Sequence, residues 1–166
     1  MSKSIKLNSR KHLGYETIVD DEDYEILSQY KWHPEINSKS ENVYVAGWIN
    51  NKNIRMHRFV MKLHGNEIDD FHIDHKDRNG LNNQKENLRP CSHTENQHNA
   101  KKKKNGITSV YKGVYFKVDR NKFRAHIKDN GKDIHIGYYQ DEIDAAIAYN
   151  KQAIKLYGEF ANLNII

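Results

Sequence analysis

The chain has 166 residues, 37% of them hydrophobic and 30% charged, which suits one medium domain or two small ones with modest cores. Its single cysteine, Cys91, excludes an internal disulfide framework and a four-cysteine zinc site. No apolar run is long enough to cross a membrane, so a protein of the reducing cytoplasm is expected. The net charge of +5 is uneven: residues 1–100 carry 14 Lys/Arg against 15 Asp/Glu, and residues 101–166 carry 13 against 7, so the excess available to phosphate lies in the last third.

Residues 1 to about 55 read as β-rich, with strand character at 5–7, 15–20 and 42–50, where Val, Ile, Tyr and Trp stand between turn-forming Asn and Gly. The stretch 20–30 reads as a short helix. Its acidic residues Asp20, Asp21, Glu22 and Asp23 fall in the first turn, where the helix dipole favours them, and a solvated helix start explains them better than a metal. Residues 54–64 carry a helical apolar stripe that stops at Gly65. A segment dense in Asp, His and Asn follows over 72–99. The run 101–109, four lysines and then Asn-Gly, has the composition of a basic linker suited to tracking phosphates.

The remaining residues predict three antiparallel strands and a helix. A first strand is expected over 111–118. Over 122–128, Phe123, Ala125 and Ile127 alternate with Arg124, His126 and Lys128, and over 132–139 Ile134 and Ile136 oppose Asp133 and His135, the pattern of strands with one face on a core and one free. Asp129-Asn130-Gly131 supplies the turn between them. The helix runs over 141–157, capped by Asp141 and stopped by Gly158, and its alanines 145, 146, 148 and 153 allow close packing on the sheet.

Hydrolysis of a phosphodiester needs an activated water and a cation on the phosphoryl oxygens. In the segment 72–99, His75 is the natural base because imidazole titrates near neutrality, and Asp74 offers a hard oxygen for Mg²⁺ or Mn²⁺. Asn87 is placed to bond backbone groups across the loop that precedes it. Asn96, on a helix expected to start near Ser92 or Thr94, could complete the metal site. His72 and His57 stay open between packing and a role at phosphate, as does Arg58.

Asp74-His75, Asn82-Asn83, Asn87-Leu88-Arg89 and Asn96 together resemble the HNH, or ββα-metal, nucleases, in particular the homing endonucleases of phage type. That resemblance implies His75 as general base, Asp74 and Asn96 as ligands of one Mg²⁺ or Mn²⁺, and Asn87 as the structural asparagine. Asn96 stands where the second histidine of the family name would be, as in HNN variants, with His93 and His98 on either side as alternative ligands. Tyr111-Lys112-Gly113-Val114, the strand 122–128, residues 136–139, 144–150 and 160–164 resemble the AP2/ERF DNA-binding domain, which implies a sheet in the major groove of duplex DNA. The matching positions put Lys112, Tyr115, Lys117, Arg124, His126, Lys128 and His135 on the DNA side. Lysine and histidine stand where that family has several arginines, which implies fewer bidentate base contacts.

The expected fold is therefore α+β: a β-rich segment leading into a ββα-metal motif over 1–100, a basic linker over 101–109, and a three-stranded sheet on one helix over 110–166. The expected function is a site-recognising endonuclease of double-stranded DNA, working as a monomer on an extended site in a bacterial or phage-infected cell and favouring the nicking of one strand, or slow double-strand cleavage by two events. The alternatives are a non-enzymatic DNA-binding regulator whose HNH segment is only a scaffold, and a protein that binds or cleaves RNA.

Overall fold

In the computed structural model, which describes residues 1–37, 42–99, 108–129 and 131–166, the backbone falls into two units, Met1–His93 and Thr94–Ile166. The fold is mixed α+β, with small antiparallel sheets in both units.

In the first unit, β1 (Ser2–Lys6) pairs antiparallel with β2 (Glu16–Asp20). The short helix α1 (Tyr24–Leu27) follows. Next come β3 (Trp32–Asn37), β4 (Asn42–Ile49) and β5 (Lys52–Arg55), a three-stranded sheet with β4 in the centre. Helix α2 (Met56–Leu63) continues directly from β5, and β6 (His72–His75) pairs with β7 (Leu88–Cys91). The core is gathered from all of these: Val19, Leu27, Trp32, Val45, Met56, Val60 and Ile68 are sealed from solvent. The Trp32 indole N–H donates to the Leu27 carbonyl at 2.8 Å, which satisfies the buried ring and fastens α1 to β3.

Three local expectations change. The helix expected over 20–30 contracts to α1, because Asp20 is the last residue of β2, paired with Ser2, and its carboxylate accepts from the Lys85 backbone N–H at 2.7 Å and the Gln84 amide at 3.1 Å. The helix expected from residue 54 begins at Met56, since Ile54 and Arg55 pair with β4 as part of β5. Strand β3 is hidden in the sequence by Pro34, which a sheet tolerates at an edge, and β3 is an edge strand.

Helix α3 (His93–Asn99) starts at the last residue of the first unit and belongs otherwise to the second. There β8 (Val114–Lys117), β9 (Lys122–Asp129) and β10 (Lys132–Tyr139) form an antiparallel sheet ordered β10–β9–β8. Helix α4 (Glu142–Tyr157) packs against all three strands. Its alanines 145, 146 and 153 are buried against Val114, Ala125, Ile127 and the partly covered Phe123, Ile134 and Ile136. The Asp141 carboxylate caps the helix by accepting from the Ile143 N–H at 2.6 Å.

The first strand is shorter than the expected 111–118. Gly113 has φ +72°, and a β-carbon there would lie 2.1 Å from the Tyr149 ring, so the chain turns tightly against α4 before β8 can begin. A bulge between His135 and Gly137 shifts the register of β10, and Tyr139 rather than Tyr138 thereby joins the core face. Thr108 and Ser109, expected to end a linker, are bonded into the second unit: the Thr108 hydroxyl accepts from the Phe116 N–H at 2.9 Å and the Ser109 hydroxyl from the Tyr111 N–H at 3.0 Å. The lysine run 101–104 and Asn130 of the expected hairpin turn lie outside the described residues.

Candidate active site

Pairing of β6 with β7 sets Asp74 opposite Arg89 and His75 opposite Leu88. The Arg89 guanidinium reaches Asp74 Oδ2 through Nε at 2.9 Å and Nη2 at 2.7 Å, and the two side chains are only 10% and 7% exposed. A buried carboxylate is tolerable because that cation stands directly across the ladder.

His75, at the end of β6, is buried. Its ring centroid lies 5.2 Å from that of His57 on α2 and 5.9 Å from that of Tyr44 on β4. Its Nε2 lies 3.5 Å from Asn83 Oδ1. Burial pushes the imidazole below its ordinary pKa of 6.5, with the Asn83 contact and the carboxylates of Asp77 and Asp74 pulling partly back. His57 is pushed well below, by burial first and then by the charges of His75, Arg55 and Arg58. A neutral His75 at physiological pH has a lone pair with which to take a proton.

The loop 76–87 is held by its own side chains. Asn87 accepts from the Asp77 N–H at 3.0 Å and donates to Asp77 Oδ1 at 3.0 Å and to the Asn82 carbonyl at 2.8 Å. Asp77 also accepts from the Asn79 N–H at 2.8 Å and the Asn82 amide at 2.8 Å. Burial works against its charge, but these donors outweigh that and hold the carboxyl below the ordinary range. The far side of the loop is laced to β2, with Ile18 N–H to Leu81 O and Asn83 N–H to Ile18 O, both 2.8 Å. Gly80 lets it approach β4, since a β-carbon there would sit 2.3 Å from the Val43 carbonyl.

Asp74, His75 and Asn87 are thus gathered on one hairpin, whereas Asn96 and His98 lie on α3 in the second unit. His72 is exposed beside His93, its ring centroid 5.2 Å away. Of the open residues, His57 is core, and Arg58 donates to the Phe71 and Ile68 carbonyls at 2.9 and 2.7 Å, closing the turn after α2. Sequence reasoning passed over Thr17, Tyr44 and Asp77, and named Asn83 in the motif without giving it a role. Asp77-x-Asn79 carries the signal of an Asx turn, but nothing local links Thr17 to a loop more than sixty residues later.

The acidic run 20–23 is not simply a solvated helix start. Asp23 is buried and His64 donates to its carboxylate at 3.0 Å, which fixes α1 to the end of α2. With Glu22 these residues gather candidate ligand atoms within 4.8 Å of one another, and the Asp23–His64 bond accounts for that proximity.

In the second unit, one face of the sheet collects Tyr115, Arg124, His126 and His135, joined by Asp133 and Tyr138. Arg124 Nη2 donates to Asp133 at 2.7 Å and its Nε to His135 Nδ1 at 3.2 Å, while Nη1 bonds the Tyr115 hydroxyl. His126 bonds the other oxygen of Asp133. Lys128, exposed on the same face, pairs in register with Asp133, and Lys117 lies 3.6 Å from Asp119. Lys112 is set apart: it precedes β8, and its ammonium donates to the His98 carbonyl near the end of α3 at 2.7 Å.

Residues 55–98, which include this hairpin, match the family model described as HNH endonuclease. The chain is also 34% identical over 143 residues to an uncharacterised HNH endonuclease of Acanthamoeba polyphaga mimivirus, an alignment covering 85% of this chain and 70% of that protein. With the Asp74–His75 pair and its asparagine-tied loop inside the matched region, the chain belongs to the HNH endonuclease family.

Proposed function

We propose that the chain is a metal-dependent endonuclease of double-stranded DNA, of homing type. The observation that carries this reading is the hairpin itself, with buried His75 next in sequence to buried Asp74 at the end of β6 and Asn87 tying the loop that follows. His75 takes the proton of a water as its oxygen attacks phosphorus, and the bond to the leaving sugar oxygen breaks. Asp74 and Asn96 are the proposed ligands of a single Mg²⁺ or Mn²⁺, a carboxylate and an amide oxygen whose hardness suits either ion. Asp74 offers a buried carboxylate whose Oδ2 is held by Arg89 on the paired strand. Bound there, the ion would neutralise charge developing on the phosphoryl and leaving oxygens. Asn87 fixes the loop on which the reacting groups depend.

The AP2/ERF-like reading of the second unit rests on its three strands, the helix α4 packed against them and the polar face around Arg124. That face is proposed to anchor the duplex, with Lys112, Lys117 and Lys128 adding charge at phosphate. One site per chain suits a monomer on an extended, asymmetric target, and nicking rather than paired cuts. No helix among the described residues is long and apolar enough to cross a membrane. The proposed setting is the cytoplasm of a bacterial or phage-infected cell.

The test is supercoiled plasmid incubated with the protein and Mg²⁺ or Mn²⁺, with EDTA, and with His75→Ala. Metal-dependent open-circle product, reduced by about 10²–10⁴-fold in the variant while DNA affinity holds, supports the reading. Retardation of DNA without cutting under every metal favours the regulator instead. Tighter binding to RNA than to DNA duplexes moves the substrate class.

A further inference from the structure

We infer that Asn83 and Thr17 are positioning residues that choose the tautomer of His75, keeping the proton on Nε2 and leaving Nδ1 unprotonated as the basic atom. This deepens the nuclease reading and rests on it for its functional consequence, though not for the tautomer itself.

The chain of donors and acceptors can be followed from a fixed end. The Leu81 carbonyl can only accept, and the Thr17 hydroxyl lies 2.8 Å from it, so the single hydroxyl proton is spent there. The sulfur of Met56, 3.7 Å from the same hydroxyl, is the weaker acceptor. The Thr17 oxygen is therefore left to accept, and the Asn83 side chain meets it at 2.9 Å with its NH₂. The Gly80 carbonyl, 3.3 Å from the same nitrogen, turns the amide the same way, since the opposite orientation would set two oxygens against each other. Asn83 must then present its oxygen to His75, and an amide oxygen has no proton to give. Contact at 3.5 Å is favourable only if the facing Nε2 carries the hydrogen.

Burial makes this orientation consequential. Asn83 and Thr17 are both sealed from solvent, so no bulk water can exchange places with either partner, and a turned amide would leave buried groups unbonded. Backbone bonds hold the frame itself: Ile18 donates to the Leu81 carbonyl and accepts from the Asn83 N–H, a bridge that sets Ile18 of β2 opposite Asn82. Thr17 thus acts on the base from a strand outside the segment that matches the family model.

The experiment reads the proton directly. The full chain, labelled with ¹⁵N and free of metal, is examined by long-range ¹H–¹⁵N correlation at pH 8, above the ordinary imidazole range, where unprotonated and protonated ring nitrogens are well separated. The expected result is the Nε2–H tautomer for His75 in the native protein and in Thr17→Ser. Thr17→Val and Asn83→Ala should raise the Nδ1–H population. In plasmid nicking the same two variants should lose about 10–100-fold in kcat with KM little changed, while Thr17→Ser keeps activity. Nδ1–H in the native protein overturns the inference, even if Asn83→Ala fails to fold. An unchanged tautomer in Thr17→Val and Asn83→Ala overturns it as well. Because the tautomer is read without metal or DNA, a chain that shows Nε2–H and never cuts defeats the nuclease reading alone.

Discussion

At the scale of single residues, the burial of imidazoles in the first unit makes its stability depend on pH. His57 is buried between α2 and the His75 ring, with its pKa held well below 6.5, whereas in the unfolded chain it titrates near 6.5. The folded state therefore binds fewer protons than the unfolded state as the pH falls below that value. Stability contributed by the neutral ring is fully present above about pH 6.5 and drains away as pH falls towards the folded pKa. Each such group contributes a slope of up to about 1.4 kcal/mol per pH unit. Urea unfolding at pH 7.5, 6.5 and 5.5 should show native stability dropping over the two lower values. His57→Gln, though less stable at pH 7.5, should lose less over that interval. An equal slope in the variant would mean that His57 ionises in the folded protein as freely as in the unfolded one.

At the scale of elements, the hairpin β6–β7 is rigid because its loop supplies its own bonds, and Asn87 is the tie most readily tested. Asn87→Ala removes an acceptor from the Asp77 N–H and donors from the Asp77 carboxylate and the Asn82 carbonyl. The expected cost is about 1–3 kcal/mol in unfolding free energy, with faster hydrogen exchange at the Asp77 amide and a fall in kcat. Lys85→Ala, on an exposed side chain of the same loop, should change none of these. A stable Asn87→Ala with native exchange would show that the loop is held chiefly by β2. Strands β9 and β10 were legible in the sequence through their alternation, which in β10 holds up to the bulge, and helix α4 through its cap and stop. Strand β3 was not, since Pro34 breaks the propensity and only the edge position excuses it. The contraction of α1 was equally hidden, because what ends β2 at Asp20 is a bond to Lys85, far along the chain. The Asp74–His75 pair and Asn87 could be read from types and spacing. Thr17, Tyr44 and Asn83 could not, since their relation to His75 exists only once β2, β4 and the loop have come together.

At the scale of the whole molecule, the basic excess of the last third is less free than its count suggests. Asp133 takes one hydrogen bond from Arg124 and another from His126 on the face proposed to meet DNA, and the carboxylate is held below its ordinary range by His126 first, with Arg124 adding to it. These groups are partly open to solvent, so the pairing is worth little to folding. For the proposed binding of DNA it has two consequences. It fixes the Arg124 guanidinium in one orientation against Tyr115 and His135, which favours a particular base edge over phosphate in general. It also cancels charge that would otherwise release counterions from any duplex. Asp133→Asn should therefore raise affinity for arbitrary DNA and steepen the fall of log K with log salt, by up to about 0.9 for each further phosphate neutralised. The margin between cognate and arbitrary sequence should shrink. Lys128→Gln, which removes an exposed charge without disturbing Arg124, should lower the salt slope and weaken both kinds of DNA alike. Filter binding across a salt series, with a cleaved target and a scrambled duplex of equal length, separates the two effects. If Asp133→Asn weakened arbitrary DNA as Lys128→Gln does, the carboxylate would be a plain structural tie, and selectivity would have to come from another surface.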